Sequence, residues 1–186
     1  NILLMLQTIG IHSSIIKNEN DFKLLINKKN TDITIEDIID ENRYEDVYCF
    51  KEQKRGMGMF NGVLTAQCTQ MTLNSVDYDT KVVVQNKNND ILDIKIGKLI
   101  DDILEKNIRK IIKYPENRTD YLDLEKGEFF IPACTKDGKI EWRQVDAVTR
   151  HLPIGKLIKV TTQSGREVVA TQSHSFIVWN GKELET

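Results

Sequence analysis

A mainly β fold is predicted by three observations on this 186-residue chain. From Phe129 onward, five runs of β-forming residues follow one another at near-regular spacing, with turn dipeptides between them. Only one segment carries a sustained apolar spacing of three and four. No strand–helix alternation of the kind that builds a parallel sheet recurs along the chain.

The elements follow in order. Residues 2–10 are apolar-dense and read as the end of a helix stopped at Gly10. Residues 11–17 and 22–27 flank the polar turn Asn18-Glu19-Asn20-Asp21 and predict a hairpin. Thr34 as N-cap, followed by Ile35, Ile38 and Ile39, predicts a short helix over 34–39. Residues 46–50 and 59–65 read as strands, with Asn61-Gly62 as a turn or kink. Residues 82–84 are a strand and 86–90 the loop after it. Ile96, Leu99, Ile100, Ile103, Leu104, Ile108, Ile111 and Ile112 place one apolar stripe on a helix that Tyr114-Pro115 ends. The β runs are 129–133, 140–148, 157–162, 167–171 and 175–179. Turns at Asp137-Gly138, 153–155, Ser164-Gly165 and Asn180-Gly181 separate or follow them.

The composition, 40% hydrophobic and 29% charged, suits one core or one core with a small appendage. A net charge of -2 argues against a cationic nucleic-acid binder. No apolar run approaches a membrane span and no signal segment opens the chain. A soluble, non-secreted domain of the cytoplasm is expected. Cys49, Cys68 and Cys134 are odd in number and widely spaced, and they form no CxxC pair. Free thiols are expected, with no cofactor and no metal. Cys134 reads as a core thiol, Trp142 and Trp179 as core aromatics, and His12 as a surface residue. His151 stands before Leu152-Pro153 at a turn and is expected to be exposed.

Chemistry concentrates elsewhere. Thr171 and His174 sit three apart, just past a strand, where such a pair can polarise a carbonyl or protonate a leaving amide nitrogen. The spacing alone more often marks a turn threonine and a surface histidine. Its surroundings, residues 166–178, resemble block B of inteins and the related hedgehog-type autoprocessing domains. Residues 75–84 resemble block A, which opens on the nucleophile, here Ser75; Tyr78 replaces the usual glycine. Residues 46–50 resemble block F, with Cys49 at a position where relatives commonly carry Asp. A buried strand cysteine is the equal alternative for Cys49. Residues 60–67 followed by Cys68 resemble block G and the first extein residue, with Ala66 for the penultimate His and Gln67 for the terminal Asn.

In that family blocks A and B precede F and G, whereas here the order is reversed. The resemblance therefore implies a permuted or split intein. Its C-terminal part is 31–67, its extein linker 68–74 and its N-terminal part 75–186. Residues 1–30 resemble the end of a LAGLIDADG endonuclease without the acidic motif. Residues 69–74 resemble a stretch of the largest subunit of multisubunit RNA polymerases. The implied fold is the Hint (hedgehog/intein) horseshoe-like β fold with a few short helices.

The implied reaction starts when Ser75 attacks the Asn74 carbonyl, aided by Thr171 and His174. Cys68 then takes the acyl group, and cyclisation of Gln67 releases a cyclic 68–74 peptide. Ser75 is a weaker nucleophile than cysteine, Gln67 must form a six-membered imide, and Ala66 has no proton to give. A slow or trapped precursor is expected. Its substrate partner is its own 68–74 segment, with no membrane and no stable nucleic acid; a half-swapped dimer is compatible with interlaced halves. The alternative from another class is a DNA-binding fragment of a homing endonuclease or polymerase without self-processing.

Overall fold

The structure, a computed structural model, describes residues 13–17, 22–26, 35–66, 74–135, 139–179 and 184–185. Several sequence expectations lie outside the described residues: the helix end over 2–10, His12, Gln67, Cys68 and the turns at 137–138 and 180–181. The described chain is mainly β, as expected.

Strands β1 (Ser13–Lys17) and β2 (Phe22–Ile26) pair antiparallel across the anticipated hairpin. The segment expected as a short helix is instead strand β3 (Ile35–Asp40). All six of its residues are exposed, so the isoleucine spacing meets no core to hold a helix. It pairs as an edge strand on residues 158–162, where β-branched side chains suit an extended backbone.

Strand β4 (Val47–Lys51) leads through a tight loop into β5 (Met57–Phe60). The buried Glu52 carboxylate holds that loop, accepting the backbone N–H groups of Lys54, Arg55 and Gly56 at 2.7, 2.7 and 3.1 Å. Strand β5 turns back at Asn61-Gly62 into β6 (Val63–Ala66). Both turn residues have positive φ, 48° and 78°, the conformation Asn and Gly tolerate best. The Asn61 backbone and side chain clip this hairpin to Lys81, at 2.8 Å each.

Strands β7 (Lys81–Asn86) and β8 (Ile91–Lys95) form the next hairpin. Val82 and Val84 face the main core, and Val83 joins a smaller cluster with Met59, Ile140 and Trp142. Burial on both faces explains the unbroken valine run. Trp142 is half-buried there rather than fully interior.

Helix α1 (Ile96–Lys106) buries Ile96, Leu99, Ile100, Ile103 and Leu104. It ends well before Tyr114, because the Asn107 side chain donates to the Ile103 carbonyl at 2.9 Å and closes the last turn. Ile108 and Ile112, assigned to the same stripe by spacing, are exposed. A 3₁₀ turn (Ile108–Lys110) and strand β9 (Ile112–Tyr114) follow.

Strands β10 (Thr119–Asp123), β11 (Phe129–Cys134), β12 (Ile140–Gln144) and β13 (Ala147–His151) come next. The single run expected over 140–148 is thus two strands, broken where Asp146 N–H donates to Lys51 O. The antiparallel strands β14 (Leu157–Thr162) and β15 (Glu167–Thr171) meet at Ser164-Gly165, where Gly165 has φ 77°. Of residues 175–179, only β16 (Val178–Trp179) is a strand, paired with β17 (Leu184–Glu185).

The larger sheets run β4-β13-β10-β9, β12-β11-β7-β8 and β15-β14-β3. One core cluster draws Phe50, Phe60 and Val63 from before residue 67 together with Val82, Ile100 and Val168 from after residue 74. The two stretches of chain are therefore folded around shared apolar contacts. Among the described residues no helix is long and apolar enough to cross a membrane.

Candidate functional site

The segment after Asn74 is threaded between two sheets. Val76 exchanges backbone hydrogen bonds with Tyr48 of β4, its carbonyl accepting at 2.8 Å and its N–H donating at 3.0 Å. On the other side, Asp77 N–H donates to Val169 O at 3.0 Å and Thr171 N–H donates to Ser75 O at 2.9 Å. A single residue, Val76, thus bridges β4 and β15. Ser75 lies fully buried beside it.

A turn then fixes the direction of the chain. Asp77, buried, accepts both the Thr80 N–H (3.0 Å) and the Thr80 hydroxyl (2.6 Å), and its other oxygen takes Arg43 at 3.1 Å. The start of α1 docks on the same turn, with Ile96 N–H on Thr80 O and Gly97 N–H on Tyr78 O. These bonds satisfy helix donors that have no partner within the helix. Tyr78, which departs from the resembled motif, packs against Gly97 so closely that a Cβ there would lie 2.1 Å from the ring.

Thr171 closes β15 and receives the Ser75 N–H on its hydroxyl at 3.3 Å. His174 N–H donates to Thr171 O at 2.9 Å, so the two expected residues share one turn beside Ser75. The His174 ring stands edge-on to Phe60, centroids 6.3 Å apart, and against Phe176 at 5.6 Å. It is buried, and neither ring nitrogen has a hydrogen-bond partner among the described residues. Burial pushes its pKa down to about 4, the nearby Ser75 backbone offsetting only part of this. His174 is neutral at neutral pH.

Residue 175 touches both sides of the 68–74 segment. Its N–H donates to Asn74 Oδ1 at 3.3 Å, and its carbonyl accepts Ala66 N–H at 2.9 Å. Ile177 N–H adds a bond to Leu64 O at 3.1 Å. The strand expected at 175–177 is therefore a partner for the end of β6 rather than a strand of its own ladder.

His151 corrects the sequence reading. It is fully buried, with Nε2 2.8 Å from Ser75 Oγ and Nδ1 2.8 Å from Leu152 O. Strand β13 continues through residue 151 instead of turning before it, paired His151 to Val47. Its neighbour Arg150 reaches Asp101 at 2.8 Å and Asp120 at 2.6 Å. Successive strand residues face opposite ways, so these ion pairs hold His151 toward Ser75.

Cys49 pairs with Thr149 in the same ladder and shares the His151 face one rung away. It is buried, and its Sγ donates to Phe50 O at 3.1 Å. Cys134 is buried far along β11, and burial pushes its thiol up to about 11. Among the described residues no three His, Cys, Asp or Glu side chains gather as a metal site. A separate cavity of about 580 Å³ between α1 and residues 122–129 has none of Ser75, His151, Thr171 or His174 in its wall.

No family model matches the chain. It is 32% identical over 123 residues to the DNA-directed RNA polymerase subunit Rpo1C of Methanocaldococcus jannaschii, covering 63% of this chain and 13% of that protein. It is 37% identical over 59 residues to the DNA polymerase II large subunit of Halobacterium salinarum, covering 32% and 4%. A DNA polymerase of Thermococcus kodakarensis is 34% identical over 94 residues, covering 50% and 5%. The chain thus spans about an eighth or less of each of these relatives. Short matches within long polymerases of different kinds are compatible with a segment inserted in such hosts, as inteins are.

Proposed function

We propose that the chain is a single-turnover self-processing domain of the intein type, whose first scissile bond is Asn74–Ser75. The observation that carries this reading is the convergence on that peptide. Ser75 is held by Thr171 from its N–H and its carbonyl, while residue 175 holds Asn74 and Ala66 together. A serine that only packed would need none of these contacts to the peptide before it.

In the first step the Ser75 hydroxyl attacks the Asn74 carbonyl and converts the amide to an ester. Thr171 holds the departing nitrogen, and His174 lies in the apolar box beside it. The finer reading follows the motif order: 31–67 and 75–186 are the two parts of a permuted domain, and Cys68 takes the acyl group from Ser75. Gln67 then cyclises, releasing 68–74 as a ring. Seven residues reach at most about 25 Å, ample for ends that share residue 175 as neighbour. Ser75, Gln67 and Ala66 each slow a step, so the precursor accumulates.

Intact mass spectrometry of the chain incubated with hydroxylamine tests this. Slow release of fragments 1–74 and 75–186, accelerated in Ser75→Cys, is the expected result. A chain that stays whole in both forms overturns self-processing. Consumption of the whole native chain within minutes overturns the trapped-precursor part alone.

A further inference from the structure

Ser75 has a partner that neither the motif spacing nor the charge pattern disclosed. The Leu152 carbonyl can only accept a hydrogen bond, so His151 Nδ1, 2.8 Å away, carries the ring proton. The Nε2 of that neutral tautomer is an acceptor, and the hydroxyl 2.8 Å from it is the donor. A hydroxyl aimed at an imidazole whose other nitrogen is fixed by a third group is the arrangement that activates a serine nucleophile. Of the two histidines buried among the described residues, only His151 has a ring nitrogen within hydrogen-bond distance of Oγ.

We infer that His151 is the general base of the first step, its Nε2 taking the Ser75 proton as Oγ bonds to the Asn74 carbonyl carbon. This rests on the self-processing reading above. The C–N bond of Asn74–Ser75 then breaks. The Ser75 nitrogen leaves as an amine bearing its own hydrogen and the one that began on Oγ, returned by His151. An amide becomes an ester, no electrons are exchanged, and His151 ends in the form in which it started. Because Oγ and N belong to one residue, a single imidazole serves both transfers. Strand β13 supplies the rigidity: Arg150 is anchored on Asp101 and Asp120, and His151 is paired with Val47.

Two measurements on the full chain test the assignment. The first is the hydroxylamine-dependent rate at Asn74–Ser75 in the native chain, His151→Gln, Ser75→Cys and the double variant. His151→Gln is expected to slow the serine chain about 100-fold or more. The cysteine chain, whose nucleophile ionises far more easily, is expected to lose less than about tenfold. Equal losses in both backgrounds mean that His151 only supports the fold, and overturn the assignment. The second is the side-chain nitrogen NMR spectrum of His151, which is expected to show the Nδ1-protonated tautomer. An Nε2-protonated ring would donate to Ser75 rather than accept from it, and overturns the assignment whether or not the chain cleaves. Failure of every variant to cleave, with the tautomer as expected, locates the error in the self-processing reading on which this role depends.

Discussion

The two ends of the 68–74 segment share a neighbour and little else. At Asn74–Ser75 the peptide is gripped through its N–H, its following carbonyl, its preceding side chain and its nucleophile, by Thr171, residue 175 and His151. At Ala66 the chain is held through its backbone, by the bond to residue 175 and the pairing with Met57, and the side chain is a methyl group. Nearby Thr65 is buried with a hydroxyl that has no partner among the described residues. The chemistry of acyl transfer needs protons moved at both ends; among the described residues the hydroxyl–imidazole contact suited to moving one, Ser75 with His151, lies at the Asn74–Ser75 end. Bond breaking at Asn74–Ser75 without completion at the other end is the behaviour this asymmetry supports.

The largest expected effect erases the equipped end. Ser75→Ala should abolish hydroxylamine-dependent cleavage while costing the fold only about 1–3 kcal/mol for the lost hydrogen bond and the unpaired His151 nitrogen. Intact mass and thermal unfolding read the two separately. Next comes the attempt to equip the other end. Ala66→His with Gln67→Asn should raise release at 67–68 about 100-fold and leave the Asn74–Ser75 rate within about twofold. An unchanged release rate would show that proton supply is not what separates the two ends.

A third effect concerns stability and pH. His174 titrates near 6.5 when unfolded and near 4 when folded, so between these values the unfolded chain binds a proton that the folded chain does not. Stability therefore falls with acid, by about 2 kcal/mol from pH 7 to pH 5. Urea unfolding at the two pH values measures it, and His174→Phe should remove that part of the slope. The smallest effect is structural. Gly97→Ala places a Cβ 2.8 Å from the Tyr78 Cα as well as against its ring, so rotating the ring alone gives no relief. A loss of about 1–3 kcal/mol is expected in urea unfolding, together with slower cleavage as the 77–80 turn shifts.

What the sequence made legible was what local chemistry encodes. Thr171 and His174 are three residues apart within one turn, and Asn61-Gly62 writes its own positive φ; neither depends on distant partners. His151 was misread because its burial depends on register. Only the pairing of β13 with β4, and the pull of Arg150 toward Asp101 and Asp120, decides which way its ring points. The isoleucines of β3 were misread for a related reason. Their spacing fits a helix, but an amphipathic helix forms where its stripe is buried, and these side chains remain exposed on a sheet edge. The overlong helix errs in the same way: Ile108 and Ile112 continue the spacing, yet both are exposed once the Asn107 cap has ended the helix.

Residue 175, bonded to Asn74 on one side and to Ala66 on the other, has a consequence for reaction entropy. Two groups meeting from free solution must surrender translational and rotational freedom at the moment they react. Here folding has already confined them, which raises their effective molarity; in well-oriented intramolecular reactions such values reach about 10⁵–10⁸ M. For the proposed transfer, the acyl group of Asn74 is thereby kept beside the end of β6 and need not be found by diffusion.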